Sequence, residues 1–295
     1  MKAQKIAIIG SGISGLTCAS LLQRNHEITI FEANNYIGGH TNTVEVHHED
    51  QTFRVDTGFI VSNNRNYDKF LKLMSKFDVS VQPTEMSFSV RNDRLNLEYN
   101  GHNLNTLFSQ RRNFFRPKFY QLVSDILKFN QVSKAFIKSD SSEKIKLGDF
   151  ISANKLSDSF KDSYLLPMVA AIWSCSLQQA EEFPIEFFLK FFHNHGLLDI
   201  KNRPQWYVIA GGSNAYIKPL IAPFADRIRL QCPVTRVSRK DSFIEVTHIK
   251  GTEEFDQVIF ACHSDQALKI IDEPGQRERD VLGELSYQEN DVILH

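Results

Sequence analysis

The chain has 295 residues, of which 42% are hydrophobic and 23% are charged, and its formal net charge at pH 7 is −1. These values are ordinary for a globular protein with one large domain or two moderate ones, and a charge near zero argues against a general nucleic-acid-binding protein. No signal peptide is recognisable, and no stretch approaches the roughly 18 apolar residues that a membrane-spanning helix requires.

The first predicted elements are a strand, a glycine-rich turn and a helix. Residues 6–9 are a continuous apolar run, which is typical of a buried strand, and the sequence GSGISG follows at residues 10–15. Apolar residues at helical spacing come next, and a second strand at residues 28–31 ends at Glu32. This order of elements predicts a Rossmann-like dinucleotide site rather than a glycine turn with a purely structural role.

Each part of this motif has a physical role. Gly10 permits the tight turn out of the strand, Gly12 lets the backbone approach a pyrophosphate, and Gly15 lets the helix pack closely on the strand. The first N–H groups of the helix and the positive end of its dipole face the phosphates. Glu32 lies twenty residues beyond Gly12, where its carboxylate accepts hydrogen bonds from the ribose hydroxyls.

The segment after Glu32 distinguishes between dinucleotides. It contains the pair Gly38-Gly39 followed by His40 and Thr41, whereas a NAD site has no need for further glycines after the acid. This segment resembles the FAD-binding flavoprotein superfamily that includes monoamine oxidases, phytoene desaturases and protoporphyrinogen oxidase. In that superfamily the glycine pair lines the cofactor and is usually followed by an arginine, which His40 replaces here. The resemblance implies FAD, and a NAD-dependent dehydrogenase is the alternative.

The next predicted element is a hairpin of residues 42–48 and 52–55, which leads into Asp56-Thr57-Gly58. An Asp-Thr-Gly triplet also marks aspartic proteases, but that chemistry needs a second such acid and the sequence has no second triplet. In the flavoprotein superfamily a similar segment passes near the flavin ring. The resemblance therefore implies that Gly58 and Phe59 contact the cofactor.

The middle of the chain is predicted to be mainly helical, with a helix at residues 66–77 and short strands at 79–81, 86–90 and 95–99. Further helices are predicted from near Pro117, at 147–153, at 157–172 with a kink or break at Pro167, and at 185–195. Of the 23 phenylalanines, many lie between residues 108 and 192, which suggests a region lined with large apolar side chains.

Two patterns in this middle region have alternative interpretations. Residues 101–138 contain seven Lys or Arg and one acid, Asp125, a local balance of +6. This is either a solvated helix face or a basic, Phe-bearing surface that contacts anionic phospholipid. His193 and His195 resemble a pair of metal ligands, but their spacing on a helix places them on different faces, so we assign no metal site.

Strands are predicted again at residues 205–209, 227–230, 234–239, 243–249 and 257–261. The whole order predicts an α/β fold in which a Rossmann-like FAD-binding domain is formed by residues 1–75 plus 205–295. An inserted α+β, mainly helical substrate domain is formed by residues 76–204.

Four further stretches resemble one smaller group within this superfamily: residues 55–61, 167–174, 192–198 and 203–206. They are similar to a group of bacterial, amine-oxidase-like FAD-dependent oxidoreductases, relatives of which form the N-terminal flavin domain of plant cyclopropane fatty acid synthases. In that group Val234 matches a position whose backbone contacts adenine. Such proteins normally continue further, so we expect a C-terminally truncated chain that ends within a strand at residues 291–295, with an intact nucleotide end and an incomplete flavin end.

The motif and the resemblance together assign one set of residues to FAD, without naming a catalytic residue. That set is Gly10, Ser11, Gly12, Ile13, Ser14, Gly15, Glu32, Ala33, Gly38, Gly39, His40, Thr41, Gly58, Phe59 and Val234.

The leading functional hypothesis is an FAD-dependent oxidoreductase that transfers a hydride from an apolar substrate, such as an acyl lipid, to the flavin. The alternatives are an amine oxidase and a non-catalytic FAD-binding partner of a lipid-modifying enzyme. Trp173, His193 and His195 are candidates for lining a substrate pocket, although core packing explains each equally well. Four scattered cysteines without a CxxC motif favour the cytoplasm, with peripheral contact to the inner face of the membrane as a further expectation.

Overall fold

The structure is a computed structural model that describes residues 2–139, 144–173, 175–285 and 287. Its chain divides into two compact units. Unit 1 consists of Met1–Val61, Lys69–Gln82 and Val208–His295, and unit 2 consists of Ser62–Asp68 and Pro83–Tyr207. The predicted strand at residues 291–295 lies outside the described residues. The assignment of one domain to FAD and the other to substrate stays a prediction.

The fold is mixed α/β. The strands are β1 (Lys5–Ile9), β2 (Glu27–Phe31), β3 (Thr43–His48), β4 (Gln51–Asp56), β5 (Ser62–Asn63), β6 (Val81–Thr84), β7 (Ser89–Asn92), β8 (Leu97–Asn100), β9 (Trp206–Ile209), β10 (Ile228–Arg229), β11 (Val234–Arg239), β12 (Ile244–His248), β13 (Gly251–Phe255) and β14 (Gln257–Phe260). The α-helices are α1 (Ile13–Leu22), α2 (Asp68–Lys76), α3 (Leu104–Leu107), α4 (Pro117–Lys138), α5 (Leu147–Ala153), α6 (Asp158–Phe160), α7 (Leu166–Trp173), α8 (Leu177–Glu181), α9 (Ile185–Asn194), α10 (Ile217–Ile221), α11 (Ser264–Ile270) and α12 (Gln276–Gly283). Within the described ranges, no helix is both long enough and apolar enough to cross a bilayer.

The centre of unit 1 is a parallel sheet with the strand order β10-β2-β1-β14. Successive residues of β1 face opposite sides of this sheet. Ile6 and Ile8 pack in one buried cluster with Leu16 of α1, whereas Ala7 packs in a second cluster with Phe31. A strand buried on both faces needs apolar residues at every position, which explains the continuous apolar run in the sequence.

Unit 1 also contains a hairpin and a meander, both antiparallel. Strands β3 and β4 form the predicted hairpin, in register from Thr43 opposite Asp56 to His48 opposite Gln51. Strands β11, β12 and β13 form a meander, with a register shift between Val234 and Arg236. Strand β13 was not predicted, because its sequence GTEEF is polar and shows no strand-like alternation.

Unit 2 packs around α4, which begins at Pro117 as predicted. Phe129 of this helix is fully buried and contacts the rings of Phe150, Phe160 and Phe188 at centroid distances of 6.3, 5.3 and 6.4 Å. Phenylalanines from α4, α5, α6 and α9 thus form the hydrophobic core of unit 2. Core packing therefore accounts for much of the phenylalanine enrichment that suggested an apolar lining.

The predicted break near Pro167 is a π-helical turn, Lys161–Leu165, between α6 and α7. Proline has no N–H to donate to the carbonyl of Ser163, four residues earlier. The hydroxyl of Tyr99 donates to that oxygen instead, at 2.7 Å. Burial raises the pKa of the Tyr99 hydroxyl, which therefore stays protonated as a donor.

Candidate dinucleotide-binding site

The glycine motif lies at the carboxyl end of β1, in the middle of the parallel sheet of unit 1. From β1 the chain passes through α1 to β2 on one side, and β14 pairs with β1 on the other side. The connection after β1 thus runs to β2 only, and β14 on the other side follows β13, so the strand order changes direction at β1. This is where parallel α/β sheets bind ligands.

Gly15 is required by close packing inside the protein. A Cβ atom added there would lie 2.0 Å from the carbonyl oxygen of Gly10, so α1 approaches the turn too closely for any side chain. Gly10 itself has φ of 107° and would clash with the carbonyl oxygen of Ala261, at 2.6 Å. These two glycines therefore hold strand, turn and helix together.

Gly12 differs, because nothing in the protein requires it. Its backbone is extended, with φ of −68° and ψ of 175°, and a Cβ atom added there would meet nothing within 4 Å. Gly12 is also the N-cap of α1, and no side chain caps this helix end. The first-turn N–H groups, from Ile13 and Ser14 onward, are thus available to an external acceptor.

Glu32 lies at the end of β2 with a fixed carboxylate. The side chain is buried, and its Oε2 accepts hydrogen bonds from the backbone N–H and the hydroxyl of Ser11, at 2.9 and 2.6 Å. Its Oε1 accepts a hydrogen bond from the backbone N–H of Asn34, at 2.9 Å. An ionised carboxylate has about four lone-pair sites, so the capacity to accept a further hydroxyl remains.

The Gly38-Gly39 pair lies directly against the glycine motif. The N–H of Gly38 donates to the carbonyl of Ser11 at 3.0 Å, and Gly12 and Gly38 form an isolated parallel bridge. A Cβ atom on Gly39 would lie 3.2 Å from the Cα atom of Gly12. The structure therefore brings together two glycine segments that are separated by more than twenty residues in the sequence.

Thr41 anchors the end of this second glycine segment. Its N–H donates to the carbonyl of Gly38 at 3.0 Å, and its hydroxyl lies 2.7 Å from the hydroxyl of Tyr216. Tyr216 is fully buried and was not identified from the sequence. Its partner lies 175 residues away, and no local pattern marks such a contact.

His40, Gly58 and Phe59 form the next part of the same edge. The N–H of Phe59 donates to the carbonyl of His40 at 2.9 Å, and a Cβ atom on Gly58 would lie 2.1 Å from that carbonyl oxygen. The ring of Phe59 packs on Phe70, with centroids 5.1 Å apart. This side chain therefore belongs to the core, and only the backbone of Phe59 is presented at the edge.

The imidazole of His40 is the exposed group at this position. It stacks on the ring of His263, with centroids 5.6 Å apart, and His263 stacks on Tyr287 at 4.4 Å. His263 follows β14, so the stack connects the loops after β2 and β14. The sequence reasoning identified His40 but not His263, because residues after β14 carry no recognisable motif.

Ala33 and Val234 are connected to Glu32 through the backbone. The N–H of Cys232 donates to the carbonyl of Glu32 at 2.8 Å, and Val234 begins β11 two residues later. Ala33 is exposed beside Glu32. Val234 is half-buried, and within the described residues its backbone forms no hydrogen bond with the glycine motif.

Behind this segment lies a network of polar side chains. The Sγ atom of Cys232 is 3.4 Å from Nδ1 of His248, and Nε2 of His248 is 3.0 Å from Oε1 of Glu253. Glu253 also forms a salt bridge with Arg229 of β10. The hydrogen bond from Arg229 holds the pKa of Glu253 below its usual range.

Asp56 has a structural role that agrees with the exclusion of a protease. Its Oδ1 accepts hydrogen bonds from the hydroxyl of Thr43 at 2.6 Å and from the backbone N–H of Ser213 at 2.8 Å. Ser213 begins a short 3-10 helix, Ser213–Tyr216, so Asp56 caps that helix and ties it to the hairpin. Both contacts go to Oδ1 and orient this carboxylate within the fold.

The residues present fit a dinucleotide. Open space adjoins Gly12, uncapped helical N–H groups can donate hydrogen bonds to a phosphate, and a buried, oriented carboxylate stands at the end of the next strand. The first two features form a cradle that any side chain at position 12 would fill. The residues that would hold a dinucleotide here are the 10–15 turn, Glu32 and the Gly38-Gly39 pair.

The candidate lining residues of unit 2 are engaged in packing. The ring of His195 stacks on Phe191 at 4.0 Å, and its Nδ1 lies 2.9 Å from the carbonyl oxygen of the same residue. Trp173 contacts four phenylalanines: Phe183, Phe187, Phe188 and Phe191. Among the described residues, no group of three or more His, Cys, Asp or Glu side chains is placed to hold a metal ion.

Comparison with known sequences identifies one family along nearly the whole chain. The profile of the family described as flavin containing amine oxidoreductase matches residues 13–293. A tryptophan 2-monooxygenase of Allorhizobium ampelinum is 54% identical over 44 residues, which are 14% of this chain and 6% of that protein. A 4,4'-diapophytoene desaturase of Staphylococcus aureus is 48% identical over 42 residues, which are 14% of this chain and 8% of that protein.

Solved structures share the fold over nearly all of this chain. A CLA-producing fatty acid isomerase from P. acnes has a TM-score of 0.67 and 17% identity, and the match covers 96% of this chain and 64% of that one. Cyclohexylamine oxidase from Brevibacterium oxydans has a TM-score of 0.71 and 15% identity, and the match covers 95% of this chain and 63% of that one. The chain thus spans less than two thirds of either neighbour.

Proposed function

We propose that this chain, which belongs to the flavin-containing amine oxidoreductase family, binds FAD at the carboxyl edge of the unit 1 sheet and oxidises an apolar substrate. Membership of the family implies an oxidoreductase with FAD as its cofactor. The Rossmann-like arrangement of β1, α1 and β2, with Glu32 at its end, supports unit 1 as the FAD-binding domain.

The single observation that carries this proposal is the contrast between Gly12 and its neighbours. The glycines at positions 10 and 15 are explained by contacts inside the protein, whereas the glycine at position 12 borders open space at a helix N-terminus. A residue without a side chain at that point is explained by a ligand whose phosphates approach the backbone.

The residues of this chain would bind and orient the cofactor. The N-terminal N–H groups of α1 would donate to the pyrophosphate, and Glu32, held by Ser11, would accept hydrogen bonds from the ribose. The Gly38-Gly39 segment would leave room for the cofactor beside Gly12, and the backbone near Val234 would contact the adenine. When bound, FAD supplies the capacity to accept a hydride from a C–H or C–N bond.

The proposed substrate is apolar, with an acyl lipid as the preferred class. Support comes from a relative named as a diapophytoene desaturase and from a structural neighbour named as a fatty acid isomerase. An amine is the second candidate, because another neighbour is named as cyclohexylamine oxidase. We further propose that the protein works in the cytoplasm, which its four free thiols support.

The first test is the visible absorbance of the purified chain, before and after incubation with FAD and desalting. Bound flavin gives absorbance bands at about 370 and 450 nm. Bands in either sample would support FAD binding, and a chain that stays colourless at this length and in a longer form would contradict it. A colourless chain whose longer form retains FAD would instead show that residues outside this sequence contribute to FAD binding.

The second test separates the substrate classes in a flavin-loaded sample without oxygen. Bleaching of the band at about 450 nm by acyl lipids but not by amines supports acyl lipids as the substrate class, and the reverse result supports an amine oxidase. No bleaching with any donor, together with stable binding of a lipid-modifying methyltransferase, would identify a non-catalytic FAD-binding partner.

A further inference from the structure

Unit 2 has a surface on which exposed apolar side chains and cations lie side by side. We name it the basic aromatic patch and define it by Leu104, Arg111, Arg112, Phe115, Arg116 and Lys118. These residues belong to α3, to a 3-10 helix at Arg111–Phe115 and to the first turn of α4. The patch has no part in the proposed FAD site.

The apolar members of the patch are unusually exposed. Phe115 is 88% exposed and Leu104 is 77% exposed, the two highest values among the large hydrophobic side chains of the described residues. Most phenylalanines of unit 2 are buried in its core or packed against it, so an almost fully exposed ring there has no packing role. Phe114 and Tyr120, which are 45% and 50% exposed, lie beside Phe115, and contiguous exposed apolar side chains of this kind indicate an interaction surface.

The patch is held by defined contacts. Asn113, in the middle of the 3-10 helix, is fully buried, and its side chain donates to the carbonyl of Glu98 at 3.1 Å. Phe114 stacks on Phe108 with centroids 4.1 Å apart, and the hydroxyl of Tyr120 donates to the carbonyl of Phe114 at 3.1 Å. The exposure of the next residue, Phe115, is therefore set by an anchored turn.

Among the residues that the structure describes, the cations of the patch pair with neutral groups. Arg112 and Arg116 both donate to the carbonyl oxygen of Asn96, at 2.8 Å, and Arg111 donates to the side-chain oxygen of Asn105 at 2.8 Å. These acceptors are neutral, so they orient the guanidinium groups without cancelling their charge. Within the described residues, no carboxylate lies within 4.0 Å of Arg111, Arg112, Arg116 or Lys118.

The segment that carries the patch contributes no exposed acid of its own. Asp125, the one acid between residues 101 and 138, is buried and accepts a hydrogen bond from the backbone N–H of Ser157 at 3.2 Å. Outside this segment, the exposed Glu98 lies opposite Arg91, which also forms a salt bridge with Asp93, and Glu85 pairs with His102 at 3.2 Å. Between residues 101 and 138, every exposed Asp, Glu, Lys or Arg side chain is therefore a cation.

We propose that the basic aromatic patch docks on the surface of an anionic phospholipid bilayer. The four cations would bind lipid phosphates, while Phe115 and Leu104 would enter the boundary between head groups and acyl chains. Charge complementarity favours this partner: an apolar protein surface would not compensate four cations, and a soluble anion would gain nothing from an exposed phenylalanine. The inference goes beyond the proposed function and does not depend on FAD binding.

The test is cosedimentation of the purified chain with phosphatidylcholine vesicles that contain either no anionic lipid or about one third phosphatidylglycerol. We expect binding to the anionic vesicles only, and release as the salt concentration is raised to about 0.5 M, where charges are screened within a few ångströms. The assay uses protein without added FAD, so its result is separate from that of the flavin tests.

Two variants test the two components of the patch. Arg111→Gln with Arg112→Gln should weaken binding to anionic vesicles by about tenfold or more, and Phe115→Ser should weaken it by about fivefold or more. The matched controls are Arg24→Gln with Lys250→Gln, which removes two exposed cations of unit 1, and Ile249→Ser, which removes an apolar side chain that is 68% exposed. Both controls should bind like the original chain.

Several results would overturn the proposal. They are no binding to anionic vesicles at low salt, equal binding to neutral vesicles, or equal loss in the control variants. Binding of single-stranded nucleic acid without vesicle binding, or a dimer that Phe115→Ser abolishes while vesicle binding stays absent, would assign the patch to another partner. Circular dichroism and thermal unfolding show whether each variant is folded, and Arg111→Lys with Arg112→Lys should retain binding because it retains the charge.

Discussion

Units 1 and 2 differ in what their most prominent residue type does. In unit 1 glycines concentrate where the loops after β1 and β2 meet, and the open space beside Gly12 marks a place for a ligand. In unit 2 phenylalanines concentrate in the interior, where rings such as Phe129 and Phe188 pack on one another. A missing side chain is therefore the functional signal in unit 1, whereas the large side chains of unit 2 mostly build the core.

The comparison shows which composition signals carry functional information. A glycine whose added Cβ atom would clash with protein is explained by folding, and one whose added Cβ atom would meet nothing calls for a ligand. For phenylalanine the reverse holds: a buried ring is explained by folding, and an exposed ring such as Phe115 calls for a partner. Four substitutions test this distinction, at Phe188, Phe187, Gly12 and Gly15.

The largest effect is expected in the core of unit 2. Phe188→Ala removes a fully buried ring that contacts Phe129, Phe192 and Trp173, and it should lower the free energy of unfolding by about 3–5 kcal/mol. Phe187→Ala, at the neighbouring position of α9, removes a ring that is 53% exposed and should cost about 1 kcal/mol or less. Denaturant unfolding followed by circular dichroism measures both. Equal losses would contradict the assignment of these phenylalanines to packing.

The next effect separates two glycines of one motif. Gly12→Val should weaken FAD binding by about 100-fold, equal to about 2.7 kcal/mol, and leave the melting temperature unchanged, because its side chain enters space that only the ligand needs. Gly15→Ala should instead lower stability by about 1–3 kcal/mol, because its Cβ atom would overlap the carbonyl of Gly10. FAD titration and thermal unfolding of both variants provide the comparison. Unchanged FAD binding in Gly12→Val would remove the main support for the site.

A smaller effect is expected at the carboxylate. Glu32→Gln should weaken FAD binding by about tenfold, because an uncharged amide is a poorer acceptor for ribose hydroxyls and faces the donors of Ser11 and Asn34. Glu27→Gln changes an exposed glutamate at the opposite end of the same strand and is the matched control. Titration of FAD fluorescence against protein measures both affinities. Equal losses in the two variants would indicate a general charge effect instead of a ribose contact.

The smallest effect concerns the network behind Cys232. The pKa of Glu253 is lowered in the folded state, first by its hydrogen bond with Arg229, so this group stabilises the fold above its unfolded pKa of about 4.3. That stabilisation is lost as the pH falls through the lower, folded pKa. Glu253→Gln should therefore cost about 1 kcal/mol or less at pH 7 and progressively less as the pH falls below about 4. The free energy of unfolding, measured at pH 7 and below about pH 4, tests this. A loss of unfolding free energy that does not depend on pH would contradict it.

The local part of the site could be predicted because it depends on neighbours in sequence. Strand, turn, helix and acid at residues 6–32 are each marked by residue type and spacing, and the structure has β1, α1 and β2 at these positions. The contacts of Thr41 with Tyr216 and of His40 with His263 could not be predicted, since they join residues more than 170 positions apart with no local mark. The helices α11 and α12 were missed because their sequences show little apolar periodicity.

The phenylalanine enrichment of unit 2 shows a second limit of sequence reasoning. Composition indicates that many large apolar side chains are present but does not say whether they face one another or the solvent. Only the burial of individual rings, such as 0% exposure at Phe160 and 88% at Phe115, separates the two cases.

The hydrogen bonds from Ser11 to Glu32 also have a consequence for kinetics. Both the carboxylate and the adjoining glycine loop are fixed in the protein alone, so their ordering does not have to accompany the arrival of a nucleotide. Association with the nucleotide end should then proceed in a single step whose observed rate rises linearly with ligand concentration, without the plateau that a slow loop rearrangement produces. Substitutions in this segment should then change FAD affinity mainly through the dissociation rate constant, with little change in the association rate constant.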